Sequence, residues 1–260
     1  MGKLSDPQQL ALDTIHQKPV KGIAIWQINP MEWRMIDRLA GVPEGTYQAN
    51  PIPTYQQMLE KSGVCMLDQW IPTNPLSMGS SGYNSTTKRS ATTGAENIVC
   101  DGIPIKEPED VARHLETVAF PGLEKEAASF DEDVFVKAAL AREAEVQALL
   151  GSQILKAPYI HKLARIPNLA YNRYGYANYF MAYALYPEVM EKHFRLQADI
   201  ARVQNAAVVR AFREGNWPPC LRLDHDMADS RGTLVDIASL DKLWFPQLAR
   251  SLEPFLETDI

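Results

Sequence analysis

The stretch CLRLDHDMADSRGTLVDIASLDKLWFPQLARSLEPF, residues 220–255, decides the fold that the sequence predicts. It begins with a short apolar run, typical of a strand, that leads into a cluster of acids including Asp224 and Asp226. A polar loop containing Gly232 follows, and leucines then recur at helical spacing. Carboxylates at the carboxyl end of a strand, ahead of a loop and a helix, occupy the place where a (β/α) barrel keeps its active site. The stretch therefore predicts a strand–loop–helix unit with a functional loop.

Bulk composition limits the class of protein. The chain has 260 residues, of which 46% are hydrophobic, which is enough for one sizeable core and a single domain over residues 1–260. The formal net charge of −6 disfavours binding to nucleic acid or to an anionic membrane. No apolar run approaches the ~20 residues of a membrane span, and the N-terminus lacks the apolar segment of a signal peptide. The three cysteines lie far apart, as expected of a reduced cytoplasmic chain.

Four apolar stretches are predicted to be strands because turn signals bound them. The first of them is also expected to be buried. Helical patterns separate the strands, the longest over residues 187–213, so the alternation favours an α/β fold with a parallel sheet covered by helices. A polar stretch is predicted to be a β-hairpin excursion, in which residues 87–91 pair with residues 97–100. The predicted strands are Gly22–Trp26, Val64–Ile71, Ser152–Ala157 and Cys220–Asp224.

Acids follow two of the predicted strands. Asp68 lies near the end of the second strand, and Asp224 and Asp226 share one face of the fourth because side chains alternate along a strand. We interpret Asp68 and Asp226 as candidate catalytic carboxylates that project into a common cavity, and Asp224 as a candidate substrate ligand. The alternative for each is an ordinary turn or capping role. His225 would lie behind the acids, where a structural role is favoured.

Other polar and aromatic residues are candidates for substrate binding. Trp26 and Asn29 lie at and after the end of the first predicted strand. Arg231 could clamp an anion, or it could pair with a neighbouring aspartate. Tyr176 belongs to a tyrosine-rich stretch, residues 171–179, which could form the wall of a pocket for a flat aromatic substrate or could pack in the core.

The order of landmarks along the chain resembles the uroporphyrinogen decarboxylase superfamily, which includes zinc- and corrinoid-dependent methyltransferases. The resemblance covers nearly all of residues 7–257, although no single motif is specific on its own. It implies a (β/α)8 TIM barrel, of which this chain has about four of eight strands plus the hairpin excursion, so that the C-terminal part is expected to be missing. The landmarks are Gln17-Lys18-Pro19-Val20, Leu67-Asp68 with Pro72 and Met78-Gly79, Ile103–Asp110, Asp224-His225-Asp226 with Gly232, and Trp244-Phe245-Pro246.

The methyltransferase branch supplies the first functional expectation. It implies transfer of a methyl group from a small methylated or methoxylated compound through a corrinoid partner protein. That branch holds zinc with a His-x-Cys pair and a later cysteine, all expected downstream of Ile260. The sequence contains no His-x-Cys pair. Because a catalytic zinc site needs about three converging protein ligands, we expect no metal bound by this chain alone.

Two alternatives remain open at this point. The first is uroporphyrinogen decarboxylase of heme biosynthesis, whose essential acid stands near the position of Asp68. That branch carries an Arg-Gln-Ala-Gly-Arg segment, whereas the equivalent residues 26–34 contain the single arginine Arg34, next to Trp33 and close to Glu32. The second alternative is a non-catalytic fragment or binding module. A partly built barrel would have open sheet edges, so the sequence also predicts either a homo-oligomer or poor solubility of the isolated chain.

Overall fold

The computed structural model describes residues 6–27, 30, 32–73, 97–159 and 163–260. Helices make up most of these residues. The helices are α1 (Asp6–Ile15), α2 (Trp33–Ala40), α3 (Thr46–Ala49), α4 (Pro51–Lys61), α5 (Pro108–His114), α6 (Phe120–Ala128), α7 (Glu132–Leu150), α8 (Tyr171–Tyr174), α9 (Tyr176–Leu185), α10 (Pro187–Gly215), α11 (Ile237–Leu243) and α12 (Phe245–Leu252), with a π turn at Leu115–Ala119 and a 3₁₀ turn at Glu253–Phe255. None of the described helices has the length and apolar character needed to cross a bilayer.

The strands are short and form three two-stranded units. β1 (Met66–Leu67) pairs in parallel with β4 (Leu155–Lys156), and Trp26 forms an isolated parallel bridge with Met66. Three of the four predicted strand regions therefore run side by side in parallel, which confirms the α/β class. The antiparallel pairs are β2 (Ile98–Cys100) with β3 (Ile103–Ile105), and β5 (Ala228–Asp229) with β6 (Gly232–Thr233). The strands in the described part of the chain form no closed barrel.

The fourth predicted strand, Cys220–Asp224, is wrong, because this segment has no regular structure. Pro218 and Pro219 precede it and remove two backbone donors at its start. The N–H of Cys220 donates instead to the carbonyl of Pro218 at 2.7 Å, in a local turn. The carboxylate of Asp224, at the end of this segment, is therefore positioned by side-chain contacts such as its pairing with Arg222 rather than by a β-ladder.

The first predicted strand is also shorter and more exposed than expected. Only Trp26 makes a bridge, and Ile23 is 86% exposed. The segment lies at the edge of the parallel set and contacts it through Ile25, whose carbonyl accepts from the N–H of Cys65 at 3.0 Å. Its apolar run signals an edge segment here rather than a strand buried on both faces.

One arm of the predicted hairpin is a strand that pairs with the residues following it. Ile98–Cys100 is a strand, but it pairs with Ile103–Ile105 around Asp101 and Gly102. Both turn residues have positive φ, 50° and 79°, as a type I′ turn requires, and Asp-Gly is a favoured sequence for that turn. The other predicted arm, residues 87–91, lies outside the described residues.

The longest helix organises the packing. α10 covers 29 residues and packs against α6, α7 and α12, as its apolar positions at helical spacing predict. The final predicted helix divides at Trp244 into α11 and α12, because Pro246 cannot donate to a preceding turn. β4 is joined to α7 by a buried ion pair in which Lys156 Nζ lies 2.5 Å from Glu143 Oε2. The carboxyl ends of β1 and β4 lie beside the 220–226 segment, since Arg222 contacts Asp68 after β1 and Tyr159 after β4.

Candidate functional site

Asp68, directly after β1, is the centre of a buried polar cluster. Its side chain is 3% exposed. Oδ1 accepts hydrogen bonds from Trp26 Nε1 at 3.1 Å and from the N–H of Gln69 at 2.7 Å. Oδ2 accepts from Arg222 Nε at 2.9 Å. The parallel pairing brings Trp26 and Asp68 together, because both lie at the same end of neighbouring segments.

Arg222 connects this cluster to the acidic loop. Its Nη1 pairs with the carboxylate of Asp224. Its guanidinium carbon lies 5.3 Å from the ring centroid of Trp26 and 5.7 Å from that of Tyr159, which follows β4. Burial lowers the pKa of Arg222, but the hydrogen bond and charge of Asp68 outweigh burial and leave that pKa raised. Arg222 therefore stays charged and is held by two carboxylates and two rings.

One nitrogen of this arginine is left over. Nη2 of Arg222 is buried and has no hydrogen-bond partner in the structure described here. Such an atom is uncommon, because a buried N–H without an acceptor costs about 1–3 kcal/mol. The cluster thus keeps one donor that its own side chains do not use.

A cavity of about 620 Å³ lies beside the cluster, and Asp224 belongs to its wall. Tyr171 Oη donates to the carbonyl of Asp226 at 3.2 Å, which fixes the loop against α8. Burial raises the pKa of the Tyr171 phenol, so the hydroxyl remains a donor at neutral pH. The cavity is lined by Asn168, Leu169, Tyr171, Asn172, Asp224, His225 and Asp226.

His225 has a structural position in this wall. Its Nε2 lies 3.2 Å from the N–H of Leu169 and must accept that bond, so the neutral ring carries its proton on Nδ1. The ring stacks on Trp244, with the centroids 6.0 Å apart. These two contacts hold the carboxylates on either side of His225 in a fixed orientation.

The predicted site residues fall into two groups. Trp26, Asp68 and Asp224 come together through Arg222. Asp226 lines the cavity with Asp224, but within the described ranges no hydrogen bond or ion pair connects it to Asp68. Its carboxylate is exposed and accepts from the N–H of Ala228 at 3.4 Å. Arg222 thus links Asp68 to Asp224, and Asp226 shares only the cavity wall with Asp224.

Arg231 and Tyr176 line a different cavity, of about 630 Å³. Arg231 pairs with Asp229 at 3.1 Å, as one of the alternatives from the sequence had it, and its side chain is 89% exposed. The ring of Tyr176 stacks on Tyr171 with centroids 4.9 Å apart, so the tyrosine-rich stretch forms a layered aromatic wall. Asn29, the remaining candidate, lies outside the described residues.

Sequence reasoning missed Arg222, although the signal was present. Residues 222, 224 and 226 have the same parity, so the alternation argument that selected the two aspartates also selects the arginine. Arg222 is not among the predicted site residues because it lies within the apolar run, before the acids. A cation in an apolar run needs a carboxylate partner, so the sequence signals an ion pair at Arg222 without identifying which acid completes it.

The donor set does not fit zinc. In the part of the chain that the structure describes, no three His, Cys, Asp or Glu side chains lie together as a ligand set. Burial raises the pKa values of the three free thiols, Cys65, Cys100 and Cys220, which disfavours the thiolate form that binds a metal.

Comparison with known proteins leaves the geometry as the main evidence. No protein-family model matches the sequence, and no curated protein or solved structure shows significant similarity to it.

Proposed function

We propose that this protein is an enzyme of the uroporphyrinogen decarboxylase superfamily with (β/α)-barrel topology. Its substrate is a small methylated or methoxylated compound that binds in the cavity walled by Asp224 and Asp226. One observation carries the proposal: Arg222 connects Asp68, at the carboxyl end of a parallel strand, to Asp224 in the cavity wall. Enzymes with parallel α/β architecture place their chemistry at this end of the strands.

The roles of the residues follow from their surroundings. Asp68 is buried and both of its oxygens accept hydrogen bonds, so it acts as a positioning residue for Arg222. Arg222 keeps a donor, Nη2, for an oxygen of the substrate. Asp226 is an exposed carboxylate in the cavity wall and is suited to proton transfer or to binding a polar group.

The proposed reaction is methyl transfer to a corrinoid partner protein, which accepts the methyl group. When a methyl group leaves an oxygen, the C–O bond breaks and the oxygen keeps the electron pair. A hydrogen-bond donor aimed at that oxygen lowers the barrier, and Nη2 of Arg222, which the neighbouring side chains do not use, is the donor proposed for this role. No step is assigned to zinc, since the described residues do not assemble a ligand set for it.

The test is a methyl-transfer assay on the purified chain. Methoxylated and N-methylated compounds are supplied with reduced free cobalamin as methyl acceptor, and methylcobalamin is followed by its absorbance. We expect Arg222→Lys to lower the rate about 100-fold, as loss of one preorganised donor does. The matched control Arg231→Lys, at the exposed arginine, should leave the rate unchanged. Absence of methylcobalamin with every compound contradicts the proposal.

Decarboxylation is the second candidate, and the same arginine favours it. The unpartnered Nη2 of Arg222 fits a carboxylate oxygen as well as it fits an ether oxygen. The carboxylate of Asp68 stands after β1, where the decarboxylase branch of the superfamily has its essential acid. Release of CO2 from uroporphyrinogen by the purified chain would establish this reaction instead. Binding of either substrate without turnover would support a binding module.

A further inference from the structure

A second cavity, of about 560 Å³, lies next to the proposed substrate cavity and meets it at Asn168 and Asn172. Its walls come from the segment 165–173, from α10, and from the π turn and the helix α6 that follows it. Its polar lining includes Asp101, Glu126, Arg165, Arg173, His193 and Gln197. The function proposed above does not use this cavity.

His193 in the wall of this cavity carries an unused donor. Gln197 Oε1 accepts from the N–H of Asn168 at 3.0 Å, so its Nε2 is the donor that faces His193 Nε2 at 3.3 Å. His193 Nε2 must therefore accept, and the neutral ring has its proton on Nδ1. Nδ1 is buried without a hydrogen-bond partner in the described structure, and the residue is 6% exposed.

The charged side chains that line this second cavity form two ion pairs, so their charges sum to zero. Arg165 forms a bidentate pair with Glu126, with nitrogen–oxygen distances of 2.5 and 3.2 Å. Arg173 pairs with Asp101. Burial and the nearby Arg173 lower the pKa of His193 to about 4, so its ring adds no charge at neutral pH. The lining as a whole is electrically neutral, and its apolar part comes from α6, Ala170 and the π turn.

A π turn forms part of this wall. α5, the π turn and α6 form one continuous helical run, and Pro121 lies just after the turn, where a regular helix would need its missing N–H. The N–H of Phe120 reaches the carbonyl of Leu115 instead, five residues back. Such turns are frequent at functional sites. Nδ1 of His193 is buried, so binding to it requires a ligand to displace part of this wall.

We infer that this cavity is a binding site for a small neutral molecule, whose carbonyl oxygen accepts a hydrogen bond from Nδ1 of His193 and whose apolar part lies against the π turn. A carbonyl oxygen satisfies the buried donor, which explains why the protein leaves it without a partner of its own. A neutral ligand suits the cancelled charges of the wall, since an anion or a cation would have to displace an existing ion pair.

The test uses benzamide as the probe and the full chain labelled with ¹⁵N-histidine. NMR titration should shift the His193 ring signal and leave the signal of the exposed His16 unchanged. A probe of this size should bind with a Kd of about 1 mM. His193→Phe, which removes the donor, should weaken binding about tenfold. His193→Asn, which keeps an N–H near the position of Nδ1, should stay within about threefold of the natural protein.

Three results would overturn the inference. The first is a His193 signal that does not move at about 10 mM benzamide, well above the expected Kd. The second is equal binding by the His193→Phe protein. The third is tighter binding of benzoate than of benzamide, which would reject a neutral ligand. The titration of the natural protein decides the matter by itself if a variant fails to fold.

Discussion

At the scale of single residues, the candidate site depends on one arginine that neutralises a buried acid. Asp68 is almost fully buried, and Arg222 is the cation that pairs with it directly. The second carboxylate, Asp224, holds Arg222 from the other side. An acid in such a position is tolerated only with a charged, hydrogen-bonded partner, so the pair supports both the fold and the site.

Replacing Arg222 by methionine should therefore destabilise the protein. The variant leaves the carboxylate of Asp68 buried without its cation, which costs about 3 kcal/mol. Arg231→Met is the matched control, because that arginine is exposed and its ion pair contributes under about 1 kcal/mol. Urea denaturation followed by circular dichroism measures both. Equal midpoints for the two variants would show that Asp68 does not depend on Arg222.

His193 makes a second prediction at this scale, about pH. Its pKa is lowered to about 4 in the folded protein, by burial first and then by Arg173, from an ordinary value of 6.5. The unfolded chain binds this proton more readily, so His193 lowers the free energy of unfolding as pH falls from 6.5 towards 4, by about 3 kcal/mol in total. Above pH 6.5 it has no such effect.

His193→Phe removes that dependence and isolates it from other groups. The difference in free energy of unfolding between the variant and the natural protein should grow in favour of the variant as pH falls through this window. Urea titrations at several pH values between 4 and 7.5 measure it. A constant difference across the window would mean that His193 titrates normally in the folded state.

At the scale of elements, side-chain amides on α10 take the place of a β-ladder. The segment 163–168 has no strand partner in the described structure, and its backbone bonds instead to three amide side chains of that helix. Asn205, fully buried, accepts from the N–H of Arg165 at 2.8 Å and donates to the carbonyls of Arg165 and Ser251 at 2.8 and 2.7 Å. Gln197 and Gln204 bond to Asn168 and Leu163. α10 therefore positions the walls of both cavities.

Asn205→Leu should loosen this arrangement. The substitution leaves one backbone N–H and two carbonyls without their partner, at a cost of about 3 kcal/mol. Gln204→Leu is the control, because its amide makes a single bond and is partly exposed, and it should cost about 1 kcal/mol or less. Thermal and urea unfolding compare the two. If Asn205→Leu destabilises the protein no more than Gln204→Leu does, the side-chain amide of Asn205 is not what holds the segment 163–168.

The elements also show which parts of the structure the sequence could predict. The long helix α10 has apolar positions at a period that only a helix satisfies, so the predicted bounds, residues 187–213, lie within two residues of the observed ones. Strands of two or three residues have too few positions for an alternation to be visible. The Cys220–Asp224 run could not be distinguished from a strand, because the ion pairs of Arg222 that hold it depend on tertiary contacts 154 positions away in sequence. For the same reason, the sequence identifies Asp68 and Asp224 as candidate site residues but does not predict the ion pairs through Arg222 that connect them.

At the scale of the whole molecule, the parallel sheet has an exposed apolar edge. The segment before Trp26 contacts β1 on one side, while apolar side chains along it remain open to solvent. An edge with this character is a template for pairing with another chain. The exposed side chains are Val20, Ile23, Ile25 and Trp26.

We therefore expect the protein to self-associate through this edge, and Ile23→Lys to abolish the association. Ile23 is the most exposed of these side chains, and a lysine there introduces a charge that two facing edges would have to bury together. Ile237→Lys is the control, because Ile237 is 58% exposed but lies on α11, far along the chain from the edge. Sedimentation velocity over a range of concentrations should show concentration-dependent association for the natural protein and for Ile237→Lys, and a monomer for Ile23→Lys. A natural protein that sediments as a monomer at every concentration would show that this edge does not mediate association. An Ile23→Lys protein that still associates would place the contact elsewhere. Because both variants exchange an exposed isoleucine for a lysine, a difference between them reports the position of the lysine and not its charge.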